Sequence, residues 1–257
     1  MNLISKVTTI IILFFILSCS SDKSETEIGD GITPNLNLKP TGSSANDFLA
    51  SSIYTSLVVE IIYVEGFKPN DASIQNFKTF LENRLNKPNG ITIIEKKIDS
   101  PNLAPYSIED LELVEESFRS FYNNQNILTL YAFFADGGSI NDNNNSFVLG
   151  TAYKNTSFVI YENTIMNNSG GLGQPNRTNL ETVVMQHEMG HLLGLVNLGT
   201  PMQVAHNDVA HDKHCNNENC LMYWKTETGD IFNSLLGGNI PTLDTYCIAD
   251  LQANGGK

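Results

Sequence analysis

The sequence predicts an α+β fold in which short, β-branched extended segments alternate with amphipathic helical segments before the chain passes into a loop-rich C-terminal part. Three observations carry this. Apolar runs of strand length recur at residues 55–64, 91–98, 127–134, 147–153 and 157–161. Apolar stripes at helical spacing fall at 71–85, 107–122 and 178–193. Beyond residue 193 no long periodic element and no internal repeat is visible, only a short helical stretch near 230–236.

Taken in order, the chain opens MNLISKVTTIIILFFILSC, with Lys6 ahead of an unbroken apolar stretch from Ile10 to Leu17. That is the pattern of a signal peptide over residues 1–18, too short to span a membrane as a mature helix. Ile16-Leu17-Ser18-Cys19 resembles the lipobox of bacterial lipoproteins, which implies Cys19 as a lipidated N-terminus and attachment to a membrane through that lipid. The polar, acidic run that follows resembles surface-export signals, so the expected location is the bacterial cell envelope, at the outer membrane or cell surface. Residues 19–50 read as a flexible tether and 51–257 as one folded domain.

Within that domain, 55–64 (TSLVVEIIYV) reads as a buried strand. The 71–85 helix carries Ile74, Phe77, Phe80, Leu81 and Leu85 on one face and stops at Pro88-Asn89-Gly90. Ser107 and Asp110 form a capping box for the 107–122 helix, whose stripe is Leu111, Val114, Phe118 and Phe121. The loop ADGGSINDNNN at 135–145 reads as a solvated hairpin connection. The glycines of NNSGGLGQPNR do not match a phosphate-binding loop: there is no GxGxxG, and no Lys-Ser/Thr follows. Thr178 and Glu181 form the expected cap of the last long helix, and Gly194 its C-terminal stop.

Composition narrows the function. The net charge is −13 and the 15 Lys and Arg are scattered, which excludes a nucleic-acid footprint. All five histidines lie between positions 187 and 214, as His187, His191, His206, His211 and His214. His187 and His191 stand one helical turn apart on the same face, where both imidazoles can address one ion. Glu188 beside them is placed to take a proton from water activated by that ion. The residue types and spacing together point to Zn2+, with Glu188 as general base.

The string HEMGHLLG, residues 187–194, resembles the metzincin clan of zinc peptidases, in which a third zinc-binding His follows two residues after the glycine. Here that position is Asn197, a poor ligand. The segment HCNNENCLM, from His214 to Met222, resembles the archaemetzincins, whose third His is followed by HCx4CxM. This resemblance implies His214 as third ligand and Met222 as the Met-turn residue beneath the metal, with residues 195–213 as an insertion. His206 and His211 remain alternates for the third position, and Asp208 a lesser one. Archaemetzincins carry a further CxxC completing a second zinc site; only Cys247 stands here. Cys215, Cys220 and Cys247 therefore form either one disulfide or, with His206 or His211, a second zinc site. Tyr223 reads as a packed aromatic beside Trp224.

What the resemblance implies for architecture is a mixed twisted sheet with two packing helices, an active-site helix, and an antiparallel edge strand, here 147–153, along which a peptide lies extended. The expected function is zinc-dependent peptide-bond hydrolysis of a protein or peptide substrate. The competing reading is a non-catalytic surface lipoprotein that binds a protein or glycan partner and carries a degenerate zinc site.

Overall fold

The computed structural model describes residues 34–143 and 146–257. The expected signal peptide, Cys19 and the first part of the tether lie outside the described residues. Among the described residues no helix is long and apolar enough to cross a membrane.

Five strands, β1 (Ser56–Val64), β2 (Ile91–Ile98), β3 (Ile127–Phe134), β4 (Gly150–Lys154) and β5 (Ser157–Ile160), form one mixed sheet in the order β2-β1-β3-β5-β4. The first four pair in parallel, and only β4, at the edge, runs antiparallel to its neighbour β5. Among the described residues seven α-helices accompany the sheet: α1 (Ala45–Leu49), α2 (Asp71–Arg84), α3 (Ile108–Phe118), α4 (Glu162–Asn167), α5 (Arg177–Leu192), α6 (Phe232–Leu235) and α7 (Thr245–Ala253).

The central strands are apolar on both faces because both faces are covered, as parallel strands require. On one face Leu57, Val59, Ile61, Leu130, Phe134 and Phe158 pack under α1, α2, α5 and the C-terminal region. On the other, Ile62, Val64, Tyr131 and Phe133 pack with Leu111 and Val114 of α3. The outer strand β2 carries Glu95, Lys96 and Lys97, charges that discourage pairing with a further chain. The predicted strands and long helices are therefore present, and the mixed α/β sheet architecture is the expected one.

Several details differ, each for a physical reason. Residues 34–50, assigned by sequence to the tether, are folded onto the domain: Phe48 and Leu49 are fully buried. Asn37 bonds Asn123, Thr129 and Thr156 at 2.9–3.2 Å. The second long helix stops at Phe118 because the amides of Ser120 and Phe121 turn inward to donate to the buried carboxylate of Glu60. The Thr178–Glu181 box is not made: Asn176 caps α5 by accepting from the Asn179 amide, and Glu181 instead holds Arg177, Ser73 and the Asn70 amide. Finally, the C-terminal part contains α7, nine residues long and capped by Asp244, which accepts from the Cys247 amide.

Candidate metal centre

Helix α5 packs against α2 on one side and β4 and β5 on the other, and its last turns carry His187, Glu188 and His191 into the interior. Two close approaches fix it there. A Cβ on Gly190 would lie 2.2 Å from Met222 Sδ, so the methionine seats directly against the helix at this point. A Cβ on Gly150 would lie 2.7 Å from Glu188 Oε1, so β4 passes across the glutamate. The helix ends at Gly194 in the left-handed conformation (φ 72°), and the chain turns back toward the site.

Three imidazoles converge. His187 Nε2 and His191 Nε2 are 3.1 Å apart, and the rings of His187 and His214 stack with centroids 5.4 Å apart. The ligating atoms of His187, His191, His214 and Glu227 all lie within 4.8 Å of one another. His187 Nδ1 lies 2.7 Å from the Leu221 carbonyl and His214 Nδ1 2.9 Å from that of Asp212. A carbonyl only accepts, so in both rings Nδ1 carries a proton and Nε2 is the nitrogen turned to the centre. Burial pushes His191 down to about 4, so this ring is neutral at physiological pH.

Several buried atoms here have no hydrogen-bond partner, among them both carboxylate oxygens of Glu188 and His214 Nε2. Orphaned atoms of this kind carry a large desolvation penalty and are what a bound ion and its water would satisfy. Three convergent imidazole nitrogens and carboxylate oxygen suit zinc, so the residues present fit the metal that the sequence motif implies. Burial, then the charge of Glu227, raises Glu188 well above the ordinary carboxylate range.

The other candidates lie elsewhere. His211 stacks on Trp224 at 4.2 Å and bonds Asp208 at 2.8 Å, outside the cluster. Tyr223 is tilted against Trp224, the rings 5.9 Å apart. Asn197 is exposed. His206 is buried between Asp250, at 2.8 Å, and Cys215 Sγ, at 3.4 Å. Burial lowers its pKa, but these two partners outweigh burial and the net shift is upward.

That second cluster replaces the expected disulfide. Cys215, Cys220 and Cys247 are all free and buried, with Cys220 and Cys247 sulfurs 3.7 Å apart. Donor atoms of His206, Cys215, Asp244 and Cys247 lie within 4.8 Å of one another. The amides of Met222 and Asp244 both point at Cys220 Sγ, at 3.4 Å. Hydrogen bonds from the other two thiols and these amides hold the Cys220 thiol well below the ordinary cysteine range.

A cleft of about 230 Å³ opens onto the first centre, lined among others by Thr41, Thr151, Glu188, Leu198, Lys213 and Glu227. The inserted stretch thus reaches the cleft through Leu198 and Lys213, and the segment 34–50 through Thr41. Glu227 and Asp244 are site residues that sequence reasoning missed. Glu227 has no spacing signal, since it arrives through a turn after Met222. Asp244 had one: it stands three residues before Cys247, where a CxxC would have its first cysteine.

No family model and no curated protein matches this chain. Among solved structures, the crystal structure of an archaemetzincin from Methanopyrus kandleri aligns at 16% sequence identity with a TM-score of 0.49, covering 78% of this chain and 95% of that one.

Proposed function

We propose that the chain is a zinc-dependent hydrolase of peptide bonds, with His187, His191 and His214 holding the metal and Glu188 as general base. One observation carries this reading: ring nitrogens of three imidazoles converge beside a fully buried carboxylate that has no hydrogen-bond partner. When bound, zinc supplies Lewis acidity, polarising a carbonyl and lowering the pKa of water toward about 7.

The chain's own residues do the rest. Glu188 receives the proton of the attacking water and returns it to the departing amine nitrogen, a task suited to a carboxyl whose pKa is raised. The Leu221 and Asp212 carbonyls hold two rings in the tautomer that leaves Nε2 free. Met222, lodged against Gly190, keeps the helix from shifting under its histidines. The free edge of β4 receives the substrate as an added strand, lying alongside Glu188. His206, Cys215, Asp244 and Cys247 form, in this reading, a closed structural zinc site, with Cys220 beside it. Export and lipidation at Cys19 complete the proposal, with the enzyme tethered at the cell envelope.

Glu188→Gln tests the mechanism. Peptide cleavage should fall by about 100-fold or more while zinc content, read by elemental analysis, stays unchanged. His187→Ala should lose one equivalent of zinc and all cleavage. A protein that binds zinc yet cleaves nothing in a chelator-sensitive peptide screen would instead be the non-catalytic lipoprotein.

A further inference from the structure

Glu227 faces all three histidines from the cleft side. Its Oε2 lies 3.7 Å from both His187 Nε2 and His191 Nε2, and its Oε1 lies 3.5 Å from His214 Nε2. These separations are too long for N–H···O hydrogen bonds, which cluster near 2.9 Å. They match another geometry. Donors held about 2.0–2.1 Å from one centre in a tetrahedron stand roughly 3.3 Å from each other. The 3.1 Å between His187 and His191 nitrogens belongs to the same set. The carboxylate is therefore spaced from the imidazoles as a co-ligand and not as a hydrogen-bond partner.

Resting on the zinc site proposed above, we infer that Glu227 is a fourth protein ligand, which closes the coordination sphere when no substrate is present and must swing away before turnover. Two further features fit this role. The Glu227 side chain is 29% exposed, whereas His187 and Glu188 are fully buried, so it is the one member of the group with room to leave. Its backbone is pinned where departure can be controlled: the Glu227 carbonyl accepts from the Leu149 amide at 2.8 Å, and Val148 bridges Thr228. Residues 148 and 149 lead directly into β4, the edge offered to substrate. A peptide seating on that edge thus presses on the segment that carries the fourth ligand. Catalytic zinc sites keep one position open and structural sites do not. Glu227 lets one site be closed at rest and open in use.

The test uses the full chain loaded with cobalt(II), whose visible absorption reports its ligands. Three proteins are compared: wild type, Glu227→Gln, which keeps the shape but loses the ligating charge, and Glu227→Asp, which keeps the charge but loses reach. The inference expects wild-type absorption to be insensitive to added azide. Both variants should show shifted ligand-field bands that respond to azide, and about tenfold or greater weakening of metal binding in chelator competition. Identical spectra, azide response and affinity across the three proteins overturn the role of Glu227 and leave the three-histidine site standing. If wild-type protein takes up no metal at the histidines, as judged by an unchanged spectrum in His187→Ala, both readings fall together.

Discussion

Replacing Gly190 by alanine sets two effects against each other. Alanine inside a helix gains up to about 1 kcal/mol in intrinsic propensity. The added methyl, however, would stand 2.2 Å from Met222 Sδ, with Leu195 at 3.6 Å behind it. Overpacking of a tight core costs about 1–3 kcal/mol, so the second effect wins. Gly190→Ala should lower the midpoint of thermal unfolding and weaken metal binding at the histidines, read by differential scanning calorimetry and chelator competition. At this scale the sequence was most legible where contacts are local. His187 and His191 lie one helical turn apart, so their spacing alone put them on one face, with Glu188 beside them. Glu227 and Asp244 were not legible, because each reaches its cluster through a turn whose direction is set by distant packing. For Glu227 that packing is the pairing with 147–149.

At the scale of elements, α4 and α5 meet through charge. Glu162 and Glu181 are fully buried and share Arg177, which donates to Glu162 at 3.0 Å and forms an ion pair with Glu181 at 2.7 Å. One oxygen of Glu162 has no donor. Burial, then the charge of Glu181, raises Glu162 well above the usual carboxylate range, with Arg177 opposing. The native state therefore holds a proton that the unfolded chain releases above about pH 4.3. Its stabilising contribution is present below that pH and is lost as pH rises through the folded value. Glu162→Gln mimics the protonated form, so the variant's stability advantage over wild type should grow from pH 5 to pH 8 in chemical denaturation. An advantage that stays constant would show that Glu162 is already ionised at pH 5. Neither the carboxylate pair nor α7 was legible from periodicity. Glu181 was read as a capping residue, and its partners Ser73 and Asn70 come from another part of the chain. The nine residues of α7 are too few to display a stripe.

For the molecule as a whole, strand positions and the long helices followed from apolar patterning, because a sheet covered on both faces leaves continuous apolar runs. The antiparallel edge also came out as expected, although its first three residues, 147–149, leave the sheet to pair with 227–229. What escaped was the start of the fold. Residues 34–50 look like linker because Asn37 and Asn155 secure them through side-chain hydrogen bonds rather than through a repeating apolar face. The histidines have a further consequence for the chain as a polymer. Two belong to a helix and the third arrives after a long irregular excursion, so an ion held by all three acts as a cross-link. It removes loop-closure entropy from the unfolded chain, on the order of 3 kcal/mol for a loop of this class. Chelation should then release residues 195–213 first, and limited proteolysis with and without chelator should cut there while α5 stays intact. On this view the ion is also a fastener, and the excursion between His191 and His214 keeps its shape only while the fastener is closed.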